Sequence, residues 1–385
     1  MHQLTPTELE QIARAREFAD NFVRPNAQAW DRGDATSRDI LPQAASAGLL
    51  RMLAPASHGG AELTFACMWR VAEVLAGADF GLAMSLINTH NVAALLARSA
   101  QPAVATRYVS ALMRGERVAC TALSEPGAGS DFSAITTRAV AQPGGGWQLD
   151  GAKAWITSAA HADVIVTYAQ TRPGSGAAGI ASFVVDGQRA GFHRSPISGL
   201  GAARSNHTGG FELHAYRCSD NEMLVGPGLA FKAAMASLNR ARTYVAAMCC
   251  GMVGEAIRLA AAHGRLRHTF GRALVEHQGW RWRLADAAVD LDAAHGLIET
   301  AAQLVDAAQD AQSAAARAKI FATRMAPIHL SAMMHAMGAE GLRENYPLLR
   351  HLAAAQAATL IDGSTEMLLE RVAHEFRRGA NGAQT

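Results

Sequence analysis

The change of texture at about Val118, and again at about Gly228, limits this chain more than any single motif does. Between those points Gly and Pro become dense. Short apolar runs such as VIVTYA and IASFVV stand between turn signals, among them the PGGG at Pro143 to Gly146. That is the pattern of β-strands joined by turns. No helical pattern of about 10 to 15 residues alternates with them, which argues against a doubly wound nucleotide-binding sheet. Up to about Arg117 the chain reads as helical: after a cap at Thr7 come ELEQIARAREFADNFV, DILPQAASAGLLRML and FACMWRVAEVLA, with apolar residues at helical spacing. From Gly228 onward long Ala-rich helical stretches return, beginning with LAFKAAMASLNRARTYVAAMCCGMVGEAIRLAAAHGRL. Several antiparallel helices of such length make a bundle. The expected fold is mostly α with a β middle domain: a helical domain over 1–117, a β-barrel or sandwich over 118–226 and a helical bundle over 227–385.

Charge and cysteine usage exclude several classes of function. Basic and acidic residues nearly cancel, 35 against 33, so no single-sign field is available to hold a nucleic-acid backbone. Only Lys153, Lys232 and Lys319 are lysines. The five cysteines show no CxxC spacing and read as buried thiols of a reducing compartment. The opening MHQLTPTELE is polar and acidic, unlike a secretory signal, and no apolar run reaches the ~18 residues of a membrane span. The nearest, YVAAMCCGMVG, stops at Glu255. A cytoplasmic location is the expectation.

The local motifs are modest one by one. SEPGAGSDFSAITTRA, from Ser124, lacks the last glycine of GxGxxG and its βαβ setting. It reads as a Gly-rich turn whose hydroxyls, Ser124 and Ser130, and exposed amides suit a polar heterocycle or a phosphate. In DGAKAWITSAAHAD, Trp155 and Thr157 are one strand period apart and so share a sheet face; ordinary packing and a platform for a planar cofactor are both open readings. RLRHTFGRALVEHQGW places Arg265, Arg267, Arg272 and His277 around a Phe-Gly break between two helices, as a solvated basic loop would. No HExxH, GxSxG or GxxxxGK[ST] occurs, which sets aside zinc-protease, serine-hydrolase and P-loop chemistry.

Taken in order, SEPGAGSD, KAWITSAAHAD, RHTFGR with EHQ, and DGSTE near the C-terminus resemble the acyl-CoA dehydrogenase family over nearly the whole chain. The resemblance implies an N-terminal helical domain, a middle β domain and a C-terminal four-helix bundle, with FAD wedged between the last two. It implies that Leu123, Ser124, Gly129 and Ser130 line the flavin, Ser130 also lying near a thioester ligand. Trp155 and Ile156 would lie along the flavin ring and Thr157 would bond to its N5. Arg267, Thr269, Phe270, His277 and Gln278 would contact the FAD of a neighbouring subunit, so a homodimer or homotetramer is expected. His335, Gly338, Ser364 and Thr365 are further implied cofactor contacts, and Asn239, Arg242 and Gly363 implied substrate contacts. HAMGAEGL departs from the family's QxxGG, His335 replacing a glutamine and Ala339 a glycine.

The resemblance also gives a role to TLIDGSTEM. It aligns with a family segment YEGT whose glutamate takes the α-proton of an acyl thioester, carried on CoA or on an acyl-carrier protein, while hydride passes to the flavin. Here the carboxylate is Asp362. Aspartate is one methylene shorter, which draws its oxygens back by ~1.5 Å. Three readings follow. Asp362 is a working base in an adapted pocket; or the scaffold runs another flavin reaction, as the similar nitroalkane oxidases do with an aspartate at this place; or Asp362 only caps a helix in a silent FAD-binding subunit. Electrons would leave to an electron-transfer flavoprotein or to oxygen.

Overall fold

A computed structural model describes residues 3–381 of the protein, with side chains as far as residue 376. The first helix, α1 (Pro6–Phe18), starts earlier than the sequence suggested. Its N-cap is Thr5, whose hydroxyl accepts from the Glu8 amide at 3.3 Å while the Glu8 carboxylate accepts from the Thr5 amide at 2.9 Å. Proline at the first helical position has no N–H to strand, and the reciprocal Thr-Glu pair satisfies two orphan donors. Thr7 is simply inside the helix.

A wide turn at Ala19–Val23 leads to α2 (Ala27–Arg32), followed by α3 (Leu41–Ser46), α4 (Phe65–Ala78), α5 (Phe80–Ser99) and α6 (Pro102–Met113). Eight strands come next: β1 (Ala119–Ala122), β2 (Arg138–Ala141), β3 (Trp147–Ile156), β4 (Val164–Gln170), β5 (Ile180–Asp186), β6 (Phe192–Pro196), β7 (Gly209–Cys218) and β8 (Met223–Val225). Then α7 (Ala230–Leu266) runs to a two-strand turn, β9 (His268–Thr269) and β10 (Arg272–Ala273). The chain ends with α8 (Gln278–Asp306), α9 (Gln312–Met337), α10 (Leu348–Ala358) and α11 (Thr365–Asn381). The helical, β, helical order read from the sequence is the order observed.

By compactness the chain divides into a helical unit, Met1–Ala35 with Thr64–Phe80 and Leu238–Thr385, and a sheet unit, Thr36–Leu63 with Gly81–Ser237. The sheet runs β6-β7-β3-β2-β4-β5-β8, with β1 paired parallel to β4. β4 and β5 are buried at every residue, which is why VIVTYA and IASFVV are continuously apolar instead of alternating. Leu149, Ile165, Phe183, Phe211 and Tyr216 centre the core of this unit. All five cysteines are free and buried.

The reading that no apolar run reaches membrane length needs correction. Phe80–Ser99 and Ala230–Leu266 are long and apolar enough by length and composition, and 78% and 67% of their most apolar windows are buried inside the protein, as core helices also are. Glu255 lies within the second and is paired with Arg24 at 2.7 Å and with Arg258 at 2.7 Å.

Candidate active site

In the helical unit, the turn between α10 and α11 carries the carboxylate of interest. Asp362 has φ 55° and Gly363 φ 101°, two successive left-handed residues. Glycine takes that region freely, whereas aspartate does so at a cost that surrounding contacts must offset. Two cations supply those contacts. Arg242 on α7 donates from Nε to the Asp362 carbonyl at 3.0 Å, and Lys319 on α9 donates from Nζ to the Gly363 carbonyl at 2.6 Å. Arg242 in turn donates from Nη1 to Asn239 Oδ1 at 3.0 Å, which fixes its fork one helical turn away.

The Asp362 side chain itself accepts no hydrogen bond from the described residues. Burial therefore pushes its carboxyl above the ordinary carboxylate range, and the charges of Lys319 and Arg242 draw it only part of the way back. A carboxylate with free lone pairs and a raised pKa is equipped to take a proton. It is not a helix cap: Ser364 Oγ sits 3.5 Å from the Met367 amide at the start of α11, while Thr365 opens the helix.

In the sheet unit, Leu123 to Ser130 leave the end of β1 as a tight loop, with Glu125 N–H bonded to the Ala128 carbonyl at 2.8 Å. Glu125 anchors it from beneath. Its carboxylate accepts from the Thr136 amide at 2.7 Å, the Thr137 amide at 3.0 Å and Lys153 Nζ at 2.9 Å; Lys153 also donates to the Leu123 carbonyl at 3.0 Å. Burial works against the Glu125 charge, yet Lys153 and these donors hold its carboxyl at about 2. Above this anchor the loop is open: a Cβ on Gly127 or Gly129 would meet nothing within 4 Å, and Ser130 is exposed.

Ala154 N–H bonds the Ser124 carbonyl at 3.1 Å and so sets the next residue, Trp155, beside the loop. Trp155 has φ 63° and is 62% exposed, where the pairing of β3 with β7 slips between Lys153 and Ile156. A bulky side chain at positive φ is strained, and such strain gathers at functional positions. Ile156 turns into the core and Thr157, one residue beyond the strand, is partly exposed. Trp155 thus sits in a bulge and Thr157 outside the strand, so simple strand alternation does not relate their side chains. An exposed indole, a nearby hydroxyl and an open glycine loop with free amides form a donor set that fits a planar, polar ring system.

The remaining expected residues lie elsewhere. Arg267, Thr269 and Phe270 form the turn after α7, His277 precedes α8 and bonds the Thr269 carbonyl at 3.1 Å, and Gln278 begins α8. Arg242 and the end of α7 are 24 residues apart, roughly 36 Å along a helix. His335 and Gly338 are exposed at the end of α9, roughly 24 Å along it from Lys319. Sequence reasoning assigned no role to Lys319, Lys153 or Glu125. One signal was present in the sequence, the scarcity of lysine, with three in the whole chain; the structure buries two of them, Lys153 and Lys319.

Comparison with known proteins gives the family of the chain. The family descriptions "Acyl-CoA dehydrogenase, N-terminal domain", "middle domain" and "C-terminal domain" match residues 5–116, 120–215 and 230–376. The short-chain specific acyl-CoA dehydrogenase of Bos taurus mitochondria is 30% identical over 91% of this chain and 85% of its own. The short/branched chain specific acyl-CoA dehydrogenase of Rattus norvegicus is 28% identical over 93% and 83%. Among solved structures, butyryl-CoA dehydrogenase from Megasphaera elsdenii superposes with TM-score 0.93 over 98% of this chain and 99% of that one, at 24% identity. With three consecutive domain matches along its length, the chain belongs to the acyl-CoA dehydrogenase family, oxidoreductases that act on CH–CH bonds.

Proposed function

We propose that the protein removes the α and β hydrogens of an acyl thioester, on CoA or an acyl-carrier protein, with Asp362 as the base and FAD as the cofactor. The observation that carries this reading is the Asp362 carboxyl, which accepts no hydrogen bond from the described residues and is raised above its ordinary pKa, on a turn held by two cations.

The α-hydrogen of a thioester is a weak acid, so its removal needs a base of raised pKa and stabilisation of the enolate oxygen. Asp362 supplies the first. The Asp362 carbonyl is engaged by Arg242 and the Gly363 carbonyl by Lys319, two contacts that hold the backbone of the turn. The left-handed backbone at Asp362 sets the direction in which its short side chain leaves the turn. FAD, when bound, supplies the acceptor for the β-hydrogen and its electron pair. Leu123, Ser124, Gly129, Ser130, Trp155, Ile156 and Thr157 would hold its ring end. The loop is kept in shape by Glu125 and Lys153, and the strained Trp155 offers its indole face.

Arg267, Thr269, Phe270, His277 and Gln278 stand far along α7 from the base turn, which supports their serving the cofactor of a second copy. Exposed Trp282, Val289 and Ile328 on α8 and α9 support a homo-oligomer as well. An electron-transfer flavoprotein is the proposed acceptor.

Anaerobic mixing with short acyl thioesters on CoA and on a carrier protein tests this function. Bleaching of the flavin is expected with one of them, and Asp362→Asn should lower its rate by about 100-fold or more while leaving FAD content unchanged. Full bleaching in Asp362→Asn would sink the assignment. Bleaching by a nitroalkane alone would move the protein to oxidase chemistry.

A further inference from the structure

Lys319 is wholly buried in the middle of α9. Among the described residues no carboxylate stands within the 4.0 Å of an ion pair, and of its three donors one is used, toward the Gly363 carbonyl. A buried ammonium so poorly partnered is costly, and a methionine would fill the same space without that cost. Packing alone does not explain the charge.

The groups facing it narrow the explanation. From α7 come Arg242, a second cation, and Cys249, whose thiol burial pushes up to about 12 and so keeps neutral. From the turn before α11 comes Asp362. Arg371 on α11 acts on Arg242. Asp362 is therefore the anion among these groups that Lys319 can serve. Burial lowers the Lys319 ammonium to about 8, with Asp362 and Cys249 raising it and Arg242 lowering it.

We propose that Lys319 is a positioning residue for Asp362: its ammonium pins the Gly363 carbonyl, holds the left-handed turn, and supplies the charge that keeps the carboxylate ionised until substrate arrives. The inference rests on reading Asp362 as the base. It adds a second requirement to the reaction, since Asp362 must be ionised and Lys319 protonated together.

The test uses the flavin-loaded protein as wild type, Lys319→Gln and Lys319→Arg. One measurement is the pH profile of single-turnover flavin bleaching by the responding thioester. The other, which needs no turnover, is isotope-edited infrared titration of [13C]aspartate-labelled protein, with the Asp362 band identified by its loss in Asp362→Asn. In Lys319→Gln the Asp362 band and the acid limb should move up together by about one pH unit or more, because an opposite charge is lost. Lys319→Arg should keep the wild-type acid limb and lose the alkaline limb near pH 8, since guanidinium does not deprotonate there. A lysine that merely supported the fold would lower the yield of folded protein in both variants and leave both pH values in place, and that result overturns the proposal. Should Lys319→Gln fail to fold, an alkaline limb unchanged in Lys319→Arg overturns it equally. If no thioester bleaches the wild type, the dehydrogenase reading fails by itself, and the infrared titration still decides the role of Lys319.

Discussion

At the scale of single residues, the site is built on charges removed from water. Asp362 and Glu125 are both carboxylates near a buried lysine, yet they behave oppositely. Glu125 accepts from Lys153 directly and from two amides, so it stays ionised to about pH 2; Asp362 feels Lys319 only through space and is raised. The Lys153 charge in direct contact, with the amide donors added to it, makes the difference. Glu125 is a support, and Asp362 is the proposed reactant. Lys153→Met should accordingly cost about 3–5 kcal/mol of stability, because it strands a buried carboxylate. Urea unfolding checks this, and the pair Lys153→Met with Glu125→Gln should recover part of the loss. The charged anchor was present in SEPGAGSD and KAWITS all along, but one-dimensional spacing does not show that a lysine 28 residues on lies under the loop.

At the scale of elements, two local devices position the chemistry. The turn between β9 and β10 is a two-residue Phe270-Gly271 connection with φ 51° and 80°, the left-handed pair that a tight hairpin demands. Asparagine is the residue that suits the first position, yet a phenylalanine 98% exposed occupies it. Phe270→Asn is expected to leave the melting temperature unchanged or higher, and to loosen flavin retention in gel filtration if the ring serves a second copy's cofactor. Within the helical unit, α4 and α7 approach so closely that a Cβ on Gly251 would lie 2.0 Å from the Glu73 carbonyl. Gly251→Ala should therefore destabilise by about 1–3 kcal/mol, read from the shift in chemical unfolding, since backbone rather than a flexible side chain must give way. A helical periodicity argument finds α7 correctly but treats this glycine as ordinary. The close approach belongs to the partner helix.

At the scale of the whole molecule, stability should fall on mild acidification. His90 is wholly buried, with Nε2 accepting the Leu53 amide at 3.0 Å, and burial lowers it to about 4; buried His351 is lowered to about 3. Both folded values lie below the ordinary 6.5, so the unfolded chain binds the extra protons, and the stabilisation present above pH 6.5 is lost as pH falls toward 4 and 3. Each histidine should remove about 2 kcal/mol between pH 7 and 5. Unfolding curves at pH 7, 6 and 5 measure it, and His90→Gln should flatten the response. The order of helical and β zones, the buried strands β4 and β5 and the long bundle helices were legible in the chain, because hydrophobic periodicity and turn residues are local properties. The motif that surrounds Asp362 was legible as well. The raised pKa of that aspartate, the positive φ at Trp155 and the contact of Lys319 with the Gly363 carbonyl were not, since each depends on what distant segments bring within hydrogen-bonding reach or shut off from water. The sequence by itself determined which segments are helix and strand and which residue types are on hand; only the tertiary structure decided that the Asp362 side chain accepts no hydrogen bond from the described residues, because desolvation and long-range hydrogen bonding exist only once the chain has closed around them.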